Sequence, residues 1–266
     1  MKKKILIILL ACLISTTCFA SWVFNSGTDK VVITDSNTLD FASADFAIAF
    51  WWKMPANAGS AVHVPMALGE WDDTPSIEFW FYGTDDGTYG DDIRPIHKAD
   101  NAVQFTSFST SDNDVLDNTS WNHFVMQLNS GFMETWVNGT RLINGSAANA
   151  VDTYTFANGM IFGQDFSAND AFVGSLAEAC SFQRILTDGE IDELSGTNGE
   201  TATSPADISQ TSIKWYFKMY DELETTSETG GLTATHTNTS FDSGDHPVSY
   251  GSGTTIPIIM NHRRRR

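Results

Sequence analysis

Residues 160–194 read MIFGQDFSANDAFVGSLAEACSFQRILTDGEIDEL, and this run decides the fold. Met160 to Phe162 is apolar and stops at Gly163, while residues 164–170 are rich in Asp, Asn, Ser and Ala, so a strand leads into an exposed loop. From Ala171 to Leu186 apolar residues interleave with small and polar ones, the pattern of a strand in a sheet covered on at least one face. Thr187 and Glu190 form a capping box, in which the hydroxyl accepts from the N3 amide and the carboxylate reaches back to the cap amide. Ser195-Gly196 supplies a stop, leaving a helix of about two turns.

Working outward, residues 121–143, WNHFVMQLNSGFMETWVNGTRLI, alternate through Phe124, Met126 and Leu128, turn at Asn129-Ser130-Gly131, and resume to Val137. Asn138-Gly139 then suits the left-handed central positions of a type I′ hairpin. Residues 46–54, FAIAFWWKM, carry aromatics on both faces, as a central strand with both sides covered would. Residues 64–69, 77–82 and 103–108 read as further strands, and in residues 22–32 two short apolar runs flank the turn Asn25-Ser26-Gly27. Residues 213–220, IKWYFKMY, form an aromatic strand placed to close the sheet beside the N-terminal one; beyond it, residues 232–250 are rich in Thr, Ser and Gly, and no strand is placed there.

Phe172-Val173-Gly174-Ser175-Leu176-Ala177-Glu178, followed by Arg184-Ile185-Leu186 and the capped helix, resembles the C-terminal signature of laminin-G-like and pentraxin-like jelly-roll domains. The meander of residues 121–143 and the strand of residues 46–54 are similar to other segments of the same family. The resemblance covers residues 22–220 and implies an all-β fold, an antiparallel two-sheet jelly-roll sandwich of concanavalin A-like type with one short helix. The expected organisation is a signal peptide over residues 1–20, a laminin-G-like domain over 21–220 and an extension over 221–266 ending in Arg263 to Arg266.

A chain of 266 residues, 41% hydrophobic, has enough apolar surface for one large core. Its net charge of −18 argues against a nucleic-acid surface and is compatible with cation binding. Lys2, Lys3 and Lys4 precede an apolar run over residues 5–14, and Ala20 offers a cleavage point, so the chain is expected to be exported to the outside or to a cell or virion surface. A lipoprotein reading of Cys18 is the alternative, but Thr17 stands where such signals carry Gly or Ala. The run is too short to span a membrane, and no transmembrane segment is expected in the mature chain. Cleavage removes Cys12 and Cys18 and leaves Cys180 without a disulfide partner.

Calcium takes about six to eight oxygens, which a sandwich gathers from loops at one edge. The pentraxin resemblance implies acids just before the Ile77-Glu78-Phe79-Trp80 strand, which are Asp72 and Asp73, and acids in the loop before Phe172-Val173-Gly174, which are Asp165 and Asp170. Trp71 beside the first pair offers an indole face for a sugar ring. The other reading, acids that only solvate the loops of an acidic chain, stays open.

Glycoside hydrolases of the same fold carry Glu-x-Asp-x-x-Glu on one strand. Glu70-Trp71-Asp72 begins that pattern and Pro75 breaks it, so no catalytic residue is expected. The histidines are scattered singly, with no zinc-ligand spacing. The expected function is a non-catalytic binding or adhesion module for a glycan or surface polysaccharide, with calcium as cofactor. A structural or surface-assembly protein meeting protein partners is the alternative.

Overall fold

The computed structural model describes residues 21–34, 37–43, 45–55, 62–70, 75–82, 92–99, 102–105, 108–109, 119–147, 153–196, 202–209, 211–219, 225–242 and 246–248. The first strands are β1 (Ser21–Phe24), β2 (Lys30–Ile33), β3 (Phe46–Lys53), β4 (Val62–His63), β5 (Met66–Leu68), β6 (Ser76–Tyr82), β7 (Asp92–Ala99), β8 (Ala102–Phe105) and β9 (Phe108–Ser109). The meander follows as β10 (Asn122–Asn129), β11 (Phe132–Val137) and β12 (Thr140–Ala147), then β13 (Met160–Phe162) and β14 (Gly174–Phe182). The helices α1 (Asp188–Ser195) and α2 (Pro205–Ile208) precede β15 (Ile213–Phe217), β16 (Ala234–Thr237) and β17 (Ser240–Asp242).

Two antiparallel sheets result, as an all-β sandwich of this class requires. The first runs β12-β11-β10-β3-β14-β1-β17, with β15 also on β14; the second runs β16-β2-β13-β5-β6-β7-β8, with β4 on β6 and β9 on β7. Alternation on each strand fills the space between them. Phe46, Ile48, Phe50 and Trp52 of β3 point inward to meet Phe79, Phe81 and Phe124, while Ala47, Ala49 and Trp51 face outward. Both faces of β3 are buried, as its continuous apolar sequence implies. Ring pairs such as Phe41 stacked on Phe46 at 4.0 Å, and Phe50 edge-on to Phe79 at 5.2 Å, lock the interior. Burying each such side chain is worth roughly 1.5–3 kcal/mol.

The outer face of the first sheet is covered. Thr187 caps α1 through the expected box, with Glu190 returning to the Thr187 amide at 2.8 Å, and Gly196 ends the helix in a left-handed conformation. Ile191 and Leu194 press onto Val125, Trp136 and Cys180. Gln127 fastens the approach, since its Oε1 accepts from the Leu186 amide at 2.9 Å and its Nε2 donates to Glu134 at 2.8 Å. Arg184 grips Glu190 through two bonds of 2.6 and 2.8 Å and thereby draws that carboxyl down to about 2. Beside the single helix expected from sequence the structure adds α2, one turn begun by Pro205.

Two connections leave their sheets in ways that local patterning does not encode. The turn at Asn25-Ser26-Gly27 carries the chain from β1 in the first sheet to β2 in the second, and Asp29 fixes it by accepting from the Asn25 and Ser26 amides at 2.6 and 3.1 Å. The chain crosses back between β16 on β2 and β17 on β1, and Asn25 Nδ2 bonds Ser240 Oγ at 2.8 Å to join the two corners. Residues beyond 220 thus extend both sheets, and Leu232 and Ala234 enter the core. β15 pairs with β14 and lies in line with β1 along the same strand, not beside it.

Candidate functional site

Across the second sheet the registers align Val32, Ile161, Ala67, Glu78 and Ile96 in one row. β6 alternates so that Ile77, Phe79 and Phe81 fill the core, which leaves Glu78, Trp80 and Tyr82 on the outer face. Glu78 is 2% exposed. Its Oε2 accepts from Trp80 Nε1 at 2.7 Å, whereas its Oε1 has no hydrogen-bond partner among the described residues. Burial, reinforced by the charges of Asp165 and Asp170, pushes its carboxyl up to about 7 against the opposing pull of Trp80 and Lys98. Arg94 lies 4.7 Å over the Tyr82 ring on the same face.

The second component is the loop of residues 163–171. Gly163 opens it at φ +89, where a Cβ would stand 2.3 Å from the Phe24 ring and 2.8 Å from the Asp29 carbonyl; only glycine fits. Its amide donates to Pro65 and its carbonyl accepts from Phe172, so the loop closes on itself beside β4. Asp165 organises the interior: its Oδ1 accepts from the Asn169 amide at 2.8 Å and the Asp170 amide at 3.3 Å. Phe166 packs on the outer cluster of Val64, Ala67 and Ile161, beside Trp80. Asp170 is pushed up by burial and by Asp165, with His63 opposing, and His63 Nδ1 itself lies 3.0 Å from the Ala171 carbonyl.

Three carboxylates from two distant segments therefore share one electrostatic field beside an indole. Of the residues expected from sequence, Asp165 and Asp170 are brought together, and Trp71, Asp72 and Asp73 lie outside the described residues. The described start of that acidic loop, Gly69, bonds the Gly159 carbonyl just before β13, while Asp165 follows the far end of that strand. Glu78 stands in sequence only as part of the Ile77-Glu78-Phe79-Trp80 strand. Its signal was an acid at an outward position of an otherwise apolar strand. Among the described residues no three Asp, Glu, His or Cys side chains form a metal-ligand group. These residues alone do not complete a calcium shell, and one oxygen of Asp165 is already engaged by loop amides.

Burial lowers His97 to about 4 and His123 to about 3, and the His123 ring packs on Trp51 at 4.9 Å. Burial likewise raises the thiol of Cys180, which is free.

A heptameric SAP-like pentraxin from Limulus polyphemus superposes with a TM-score of 0.58 at 9% identity, over 88% of this chain and 99% of its own. A Bacteroides ovatus protein designated carbohydrate binding gives 0.59 at 14% identity, over 87% of this chain, which spans 62% of that protein. The binding domain of botulinum neurotoxin serotype D gives 0.50 at 14% identity, over 68% of this chain and 43% of that one. At these identities the likeness shows the fold. No curated protein sequence matches the chain. The model of the concanavalin A-like lectin/glucanases superfamily matches residues 25–192, more than half of the sequence, and the chain belongs to that superfamily.

Proposed function

We propose that this chain is an exported, non-catalytic binding module of adhesive type whose ligand is a carbohydrate, with calcium as a cofactor at the acidic edge. The observation that carries the reading is the buried Oε1 of Glu78, which has no partner among the described residues, beside Asp165, Asp170 and Trp80. Asp165 and Asp170 raise the proton affinity of Glu78, and Asp165 that of Asp170, so a cation, or a cluster of sugar hydroxyls, placed among them lowers the energy. In this reading Asp165 and Asp170, with Asp72 and Asp73, are the residues that hold calcium, and calcium supplies a charge to orient hydroxyls. The indoles of Trp80 and Trp71 offer flat surfaces to the C–H face of a sugar ring. Export rests on the basic and apolar pattern of residues 1–20. The fold family and its carbohydrate-binding structural neighbour support a binding role.

A glycan array probed with and without calcium tests the proposal. Signal on a defined set of glycans that falls with chelator, and falls again in Asp170→Asn, is the expected result. Absence of any glycan signal in both conditions contradicts it and favours the assembly role.

A further inference from the structure

Beneath the described C-terminal residues, the outer face of the first sheet holds a buried polar cluster separate from the acidic edge. β14 bulges there: its register against β3 shifts between Ala177 and Cys180, and Glu178 takes φ +53, a conformation that a non-glycine residue adopts at a cost. The bulge directs the carboxylate outward to Tyr216, whose hydroxyl donates to Oε2 and lies 3.2 Å from Ser204 Oγ. Trp51, Ala177, Ala202 and Val248 pack beside it, so this charge sits in apolar surroundings and needs compensating donors.

His246 supplies one. Its Nε2 lies 3.1 Å from Glu178 Oε1, with both side chains at most 1% exposed, and 3.4 Å from the Lys218 carbonyl. Its Nδ1 lies 3.2 Å from the Val248 amide nitrogen. The geometry fits a ring carrying its proton on Nε2, which donates to the carboxylate while Nδ1 accepts from the Val248 amide. One imidazole thus compensates the buried acid and folds its own segment so that Val248 is buried against Trp51. Unlike β16 and β17, residues 246–248 join no ladder; side chains hold them in place.

We propose that Glu178, Tyr216 and Ser204 form a receptor for the chain's own segment 246–248, with the His246 imidazole as its key.

Hydrogen exchange on the full-length His246→Ala variant is the test. Protection of the Val248 amide is expected to fall by about tenfold or more while the amides of β3 and β10 keep theirs. His246→Gln, whose amide nitrogen reaches the Nε2 position, is expected to restore much of the protection. A labelled peptide with the sequence of residues 243–250 should then bind full-length His246→Ala protein and bind less well when its own His is Ala. Unchanged Val248 protection in His246→Ala, or equal binding of the two peptides, overturns the proposal. Protection that grows with protein concentration overturns it too, since the segment would then come from a second copy.

Discussion

The two outer faces of the sandwich differ in how their polar groups are satisfied. On the first sheet, Gln127 is paired on both sides of its amide, Glu190 is gripped by Arg184 and the Thr187 amide, and Glu178 is met by Tyr216 and His246. On the second sheet, Glu78 keeps a buried oxygen with no partner among the described residues and faces two more acids. A buried polar group left without a partner costs on the order of 1–3 kcal/mol. The acids of the first face are therefore satisfied from within the chain, although the buried His123 Nδ1 there has no partner among the described residues, and Glu78 on the second carries a cost that a bound ligand would remove. Both faces draw on one run of sequence, since residues 163–171 make the acidic loop and residues 174–196 make the strand and helix of the closed face.

Substitutions separate the two kinds of surface. The largest expected effect is on the closed face: Trp136→Ala, which empties the site under α1, should lower unfolding stability by about 3–5 kcal/mol in urea titrations and leave calcium affinity unchanged. Equal loss of affinity would show that the faces are not independent.

Next comes the charged edge. The folded Glu78 carboxyl is raised from 4.5 to about 7, so the native state keeps a proton that the unfolded chain has lost. The resulting stability is complete below about pH 4.5 and is lost as pH rises through about 7, a change of roughly 3 kcal/mol at most. Urea midpoints measured in chelator at pH 5 and pH 8 should differ in the parent. In Glu78→Gln that part of the difference should vanish, with the pH 8 midpoint raised; an unchanged slope would remove Glu78 from the account.

A smaller effect, about 1–3 kcal/mol, is expected for Gln127→Leu, which strands the Leu186 amide and one bond of Glu134. A neutral result would mean that water replaces the lost partner and that the closed face is less dry than its burial suggests.

What the sequence made legible follows from the range of the forces involved. The capped helix, the Asn138-Gly139 turn, with φ of 49° and 73°, and the doubly buried β3 are set by residues within a few positions of one another. Sheet membership is not local: the alternation of β1 and β2 is the same whether they form a hairpin or, as here, lie in opposite sheets. β16 and β17 were hidden because edge strands held by ladder bonds need little apolar alternation: of the described residues there, Leu232 and Ala234 enter the core and Phe241 packs against it.

The site was half legible. Asp165 and Asp170 announced themselves in a polar loop. Glu78 acquires its meaning only when the loop of residues 163–171 folds beside it, more than 80 positions away in sequence. Trp71, Asp72 and Asp73 belong to residues outside those described.

The central claim is that the second-sheet edge attracts a cation through acids that repel one another. Calcium titration calorimetry at pH 7, run in two buffers of different ionisation enthalpy, tests it most directly. Because Glu78 is partly protonated at that pH, the parent is expected to bind calcium with release of a fraction of a proton, and Glu78→Gln to bind more weakly and release none. Calcium binding of equal strength in both proteins, or none in the parent, would contradict the account.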